Sequence, residues 1–252
     1  MNNKVIYTCI VGDYDKLQEP QVVSADFDYV CFSDSLPIGK IGVWNVRPIP
    51  FSVHDTILLS RYPKLQPHKV LPEYEYSLYI DANIQILDGS FYDVINKHIT
   101  AGDLISQVLH PYRKCVYQEI YACWHHSLIS LYANVTLRYK LHRMGMPVDY
   151  GLMENCIILR RHNDSFVADV SDAWWKFFCS SSAKRDQLSL MPIYWQRNFM
   201  PTLLFEEGKN VRNIDSLRWI PHVVHRNDRR PKSAFEMFLM RLANGAERRG
   251  WL

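Results

Sequence analysis

Glycine is scarce in this sequence: there are ten in 252 residues, and no two stand as G-x-G. The dinucleotide fingerprint and the P-loop both need clustered glycines to bring backbone N–H groups against phosphate. A nicotinamide-dependent dehydrogenase and a P-loop kinase are therefore disfavoured. No G-x-S-x-G elbow occurs, which argues against an α/β-hydrolase. The six cysteines (Cys9, Cys31, Cys115, Cys123, Cys156 and Cys179) never form C-x-x-C, so a zinc ribbon or thioredoxin-like site is not expected. Most of them sit in apolar runs, as reduced structural thiols do, which points to a cytoplasmic protein. On that reading the sequons at Asn134 and Asn163 are chance matches. No run approaches the ~20 apolar residues of a membrane span. Strand-like sequence begins at Lys4, so no leader is expected before it. A large charge of one sign is also missing. The net charge is +3, too small to argue for a nucleic-acid partner.

Hydrophobic residues are 48% and charged residues 22% of the chain, the balance of a globular protein with a full core. The charge is unevenly spread. From Arg226 onward there are seven Lys/Arg against three acids, a net of +4, which leaves −1 for the rest of a chain at +3. The simplest organisation is one domain over residues 1–225 and a basic tail over 226–252.

Strand and helix patterns alternate through the first half, which predicts an α/β class with a mainly parallel sheet. Strands are expected at 4–11, 28–32, 76–80, 84–87, 104–108 and 156–159. Ser52 to Asp55 has capping-box spacing before a helix running toward Tyr62, which Pro63 should end or kink. One long helical stretch is expected over 119–143, stopped by Gly145 and Pro147. Further helices are expected over 169–178 and from near Asp186. A last short strand is expected at Val223-Val224. Ser233 to Glu236 reads as a capping box for an amphipathic final helix, with Phe235, Phe238, Leu239 and Leu242 at helical spacing and Asn244-Gly245 to cap its end.

The sharpest chemical feature is Ser77-Leu78-Tyr79-Ile80-Asp81-Ala82-Asn83. An apolar strand runs directly into an acid and a second oxygen ligand. Ligands of open α/β sheets bind beyond the carboxyl ends of the strands, and hard cations prefer such oxygens. Strand alternation places Asp81 and Asn83 on one side. The competing interpretation is an Asx turn that only closes the strand.

An ordered set of segments surrounds that motif: Arg61-Tyr62-Pro63-Lys64, Pro67-His68 and Leu71-Pro72 before it, with Thr8, Gly12-Asp13-Tyr14-Asp15 and Ser33-Asp34 earlier. His110-Pro111-Tyr112-Arg113 with Glu119, Gly151 to Asn155, and Arg185-Asp186-Gln187-Leu188-Ser189 come later. Together they resemble the TOD1/MUCI70-like glycosyltransferases and, more distantly, the glycogenin-like group. The resemblance implies a single GT-A-like, Rossmann-like domain. It implies transfer of a sugar, as by a hexosyltransferase, from a nucleotide-diphosphate donor such as a UDP-sugar. The acceptor would be a glycan or lipid-linked glycan, as in surface polysaccharide biosynthesis.

The resemblance also implies roles for particular residues. Asp81, Asn83 and His225 would hold Mn²⁺ or Mg²⁺, with His222 the rival of His225. Asn83 stands where a second Asp is common, so metal affinity is expected to be low. Thr8, Gly12, Tyr14 and Asp34 would line the nucleotide, and Arg61 and Lys64 would meet the diphosphate, where cations stabilise a departing anion. Asp186 and Gln187 would face the acceptor, and Asp186 or Glu154 would be the base if the reaction inverts. Asp186 reads equally as a first-turn helix acid. His110, Arg113, Glu119 and Arg185 would contact acceptor or sugar.

The basic tail and its aromatic helix would suit peripheral contact with an anionic membrane, at its cytoplasmic inner face, or would simply dock on the protein's own core. A sugar nucleotidyltransferase shares the general sheet plan but opens with a glycine-rich loop, and residues 4–15 hold one glycine. A carbohydrate-binding or scaffold domain with a degenerate site is the non-enzymatic alternative.

Overall fold

The structure is a computed structural model that describes residues 2–222 and 232–248, with side chains through Leu242. In chain order the elements are β1 (Lys4–Ile10), β2 (Asp28–Ser33), β3 (Gly39–Ile41), β4 (Trp44–Pro48), α1 (Thr56–Leu65), α2 (Pro67–Val70), β5 (Tyr76–Ile80), β6 (Ile84–Ile86) and α3 (Ser90–Ala101). They continue with β7 (Ile105–Leu109), α4 (Val116–His125), α5 (Leu131–Arg143), β8 (Met153–Arg160) and α6 (Ser165–Ser180). A 3-10 turn at Asp186–Leu188, α7 (Met191–Gln196), β9 (Thr202–Leu203), β10 (Leu217–Trp219) and α8 (Ala234–Arg248) complete the order.

Two units are distinguishable. One comprises the chain up to Pro111, Met153–Lys176 and the segment that begins at Met200. The other comprises Tyr112–Leu152, Phe177–Phe199 and the C-terminal helix.

The first unit holds an eight-stranded sheet in the order β3-β4-β2-β1-β5-β8-β7-β9. β1 pairs in parallel with both β2 and β5, β2 with β4, and β7 with β9, so the α/β, mainly parallel class is observed. β8 runs antiparallel to β5 and β7. Residues of β5 are buried throughout, as expected of a strand covered on both faces. The period of two then divides the central strands into unlike faces. One face is a continuous apolar cluster that includes Ile6, Leu78, Ile80, Ile157 and Leu159 packed with Phe91 and Ile95. The other face carries Tyr7, Ser77, Tyr79 and Arg160, because Tyr7 is in register with Tyr79 and Ser77 with Arg160.

Several local expectations are corrected. The stretch 119–143 is two helices, α4 and α5, because Ser127 turns the chain at φ 59° and Ser130 restarts it as an N-cap, its hydroxyl accepting from Ala133 N. Pro63 lies inside α1, and the helix continues to Leu65. The cap of α1 is Asp55, which accepts from Ile57 N and Leu58 N. Asp186 opens a single 3-10 turn, and the helix after it starts only at Met191. The capping box at Ser233 forms as expected, with Ser233 N donating to Glu236 Oε2 and Glu236 N to Ser233 Oγ. The helix passes Asn244-Gly245 and is described as far as Arg248. The strand expected at Val223-Val224 lies outside the described residues.

Candidate functional site

Parallel pairing puts the carboxyl ends of β1, β2, β4 and β5 on one edge of the sheet. The antiparallel β8 begins there and β7 ends there. The chain goes from β1 to β2 on one side, and β5 returns to pair with β1 on the other. This is the strand-order switch beside which open α/β sheets form their ligand crevice. Gly12, Tyr14 and Asp15 follow β1, Asp34 follows β2, Asp81 follows β5, His110 follows β7, and Glu154 is the second residue of β8. Fold topology thus collects on one edge residues that are up to 142 positions apart.

At the centre of this edge, Asp81 has a third of its side chain in solvent (32%), while Lys64 is 3% exposed. Lys64 Nζ lies 3.3 Å from Asp81 Oδ1, and the Tyr79 hydroxyl donates to the same oxygen at 2.9 Å. The ammonium also sits 4.7 Å from the centre of the Tyr79 ring, a favourable cation–π geometry. Burial, followed by the Asp81 carboxylate, pushes the Tyr79 phenol well above its ordinary range, so it remains a donor. Arg61 lies one helical turn before Lys64 in α1 and is close enough to lower the Tyr79 and Cys9 values electrostatically. The two cations therefore share one face of the helix. Cys9 and Cys156 border the same place. Burial raises both thiols, with Asp81 adding to the effect on Cys156, so neither is a reactive thiolate.

The loop after β1 is fixed from two sides. Gly12, at φ +59°, donates its N–H to Asp34 Oδ1 at 2.8 Å, and Ser35 Oγ donates to the Gly12 carbonyl. His222 Nδ1 lies 2.9 and 3.0 Å from the two oxygens of Asp15, and the Tyr14 ring tilts over the imidazole at 4.9 Å. The hydrogen bond to Asp15 raises the His222 pKa despite partial burial. Asn83 is buried, and its Nδ2 donates to the Ile220 carbonyl at 2.9 Å while Ile220 N donates back to Asn83 O. Together with the pairing of β6 and β10, this ties the segment 217–222 across the edge.

The remaining expected residues are placed as follows. Thr8 is buried within β1, its hydroxyl without a partner among the described residues. Glu154 is gripped through both oxygens by Arg212, at 2.8 and 3.1 Å. In the second unit, Arg113 Nη1 lies 3.0 Å from Glu119 Oε2, and Cys123 Sγ donates to Glu119 Oε1. Arg185 acts electrostatically on Cys123 together with Glu119 and Arg113. The turn bearing Asp186 and Gln187 packs on α4, and Asp186 is 6% exposed. Lys184, just before it, holds φ 45°, a conformation costly for a non-glycine residue. His225 lies outside the described residues.

Sequence reasoning missed Tyr79, Arg212 and the burial of Arg160. Tyr79 was discoverable, since it stands two positions before Asp81 on one strand. Arg212 had no local signal.

Of the expected ligands for Mn²⁺ or Mg²⁺, Asp81 and Asn83 follow the end of β5, His222 is close enough to Asp81 to feel its charge, and His225 lies outside the described residues. Among the described residues no three His, Cys, Asp or Glu side chains gather to hold an ion. Asp81 Oδ1 serves an ammonium and a phenol and Asn83 Nδ2 donates to the Ile220 carbonyl, so the oxygens with which these two residues would meet an ion are Asp81 Oδ2 and Asn83 Oδ1.

No helix among the described residues is long and apolar enough to cross a membrane. The apo crystal structure of mouse xyloside xylosyltransferase 1 aligns with 77% of this chain and 80% of its own, at 10% identity and a TM-score of 0.40. A search of curated proteins finds no match. The model of the TOD1/MUCI70 glycosyltransferase-like domain matches residues 1–215. With that match spanning every strand of the sheet and the whole edge that gathers Asp81, Lys64 and Arg61, the chain belongs to the TOD1/MUCI70 glycosyltransferase-like domain family.

Proposed function

We propose that this chain transfers a sugar from a nucleotide-diphosphate donor, a UDP-sugar in the simplest case, to a hydroxyl of a glycan or lipid-linked glycan. The observation that carries the proposal is the Lys64–Asp81 pair beside Arg61 at the strand-order switch. Glycosyl transfer breaks the bond between the anomeric carbon and a diphosphate oxygen, so negative charge builds on the departing nucleotide. Cations already in place stabilise that charge without reorganising. Lys64 and Arg61 are such cations. Asp81, with Oδ2 unpartnered among the described residues, accepts hydrogen bonds from hydroxyls of the donor's ribose or sugar. Tyr14, half over His222, offers a face for the base. Asp186 and Gln187 are the proposed acceptor-side pair.

Lys64 and Arg61 supply this charge neutralisation from the chain itself, and a divalent ion held by Asp81 would add to it as a Lewis acid. Calorimetric titration with UDP tests the proposal directly. Binding is expected in EDTA as well as in Mn²⁺. Silence under both conditions would leave a scaffold, and binding that needs Mn²⁺ would make a metal centre essential.

A further inference from the structure

Arg160 ends β8 and is 2% exposed, yet no carboxylate bonds it among the described residues. Its Nη2 alone is engaged, donating to the Tyr7 hydroxyl at 2.5 Å and to the Lys64 carbonyl at 2.8 Å. Nε and Nη1 have no partner among the described residues. Burying a guanidinium without a counter-charge is strongly unfavourable. An apolar residue facing Ser77 and Tyr7 would pack there at no such cost, so the contacts of Nη2 indicate what the charge does.

Those contacts fall on the end of α1. The last four carbonyls of a helix lack intrahelical partners, and in α1 each is satisfied differently. Tyr62 O accepts from Gln66 N, and Leu65 O from Gln66 Nε2. Pro63 O accepts from the Tyr7 hydroxyl, and Lys64 O from Arg160. Pro63 also has no N–H to give to the preceding turn, which loosens the helix just before Lys64. Two side chains from central strands of the sheet therefore fix the turn that the helix cannot fix for itself. A cation at a helix C-terminus is additionally favoured by the dipole.

We propose that Arg160 is a positioning residue for Lys64. Through the Lys64 carbonyl and the Tyr7 hydroxyl it fixes the last turn of α1, and so presents the Lys64 ammonium at Asp81. The consequence for donor binding rests on the reading of Lys64 as a diphosphate contact, whereas the positioning itself does not.

Two measurements separate these. Lysine acetylation followed by mass spectrometry reports the position of Lys64 without any donor. In the unaltered protein Lys64 is expected to react slowly, and in Arg160→Met to react about tenfold faster, while the exposed Lys69 is unchanged. Tyr7→Phe removes only the hydroxyl and should give a smaller effect of the same sign. Arg160→Lys, which keeps a charge but only one reach, should lie between the arginine and methionine forms. These two variants carry the test if Arg160→Met does not fold. An unchanged Lys64 rate in the folded variants overturns the proposal.

The second measurement is UDP and uridine affinity. Arg160→Met should weaken UDP about tenfold and spare uridine, and should add nothing in a Lys64→Ala background, as expected of residues acting through one contact. Additive losses, or equal loss of uridine, overturn the positioning role. Failure of the unaltered protein to bind UDP overturns the donor reading alone and leaves the acetylation result to judge Arg160.

Discussion

In the first unit the acid Asp81 keeps a third of its side chain in solvent, while its partner Lys64 is buried. In the second unit the arrangement is inverted: Glu119 is the buried member and Arg113 the more exposed one, and Asp186 is buried on the same packing surface as α4. An acid at an open sheet edge meets a ligand without disturbing the core. An acid inside a helical packing layer must first satisfy its neighbours. The first arrangement is suited to binding a ligand, and the second to holding one carboxylate in a defined orientation.

Removing the open acid should break the comparison most severely. Asp81→Ala is expected to lower sugar transfer by roughly 10²-fold or more, the scale of a lost electrostatic contact in a preorganised site. Circular dichroism should show the fold retained, and a variant with full turnover would remove Asp81 from the site. Asp186→Asn keeps the size and the turn-forming capacity but cannot take a proton. Turnover should fall by roughly 10²-fold with UDP affinity unchanged; a variant with unchanged kcat would make Asp186 structural. Lys64→Ala should weaken UDP about tenfold in calorimetry and leave uridine alone, because an ammonium attracts phosphate and not the base.

The smallest effect sharpens the comparison from the core side. Burial holds His162 neutral, down to a pKa of about 4. The unfolded chain takes up the proton near 6.5, so over this window the unfolded state binds more protons than the folded one. Stability is therefore fully present above pH 6.5 and lost as pH falls toward 4. Urea unfolding should show that acid slope, and His162→Gln should flatten it. An unchanged slope in the variant would assign the acid sensitivity to other groups.

The sheet was legible because its signals are local. β1, β2 and β5 are β-branched and aromatic runs closed by Asp, Ser or Gly, and their burial follows from that composition. The place of Asp81 was legible for the same reason, since an acid directly after an apolar, aromatic run closes the strand. The break between α4 and α5 was not legible, because the apolar spacing continues through it. Only the backbone turn at Ser127 and the cap at Ser130 interrupt the helix.

The sequence by itself determined the class of the fold, the absence of glycine-based phosphate loops, the acid at the end of β5 and the cations of α1. These depend on residue type and on spacing within one element. Tertiary structure alone decided the partners. Strand order brought Glu154 to the edge that holds Asp81, and Arg212 to Glu154. Sheet register brought Tyr7 and Arg160 to the end of α1. The Asn83 amide was committed to Ile220, 137 residues away in the chain. Such pairings depend on which strands become neighbours, and that is set by the burial of all of them together.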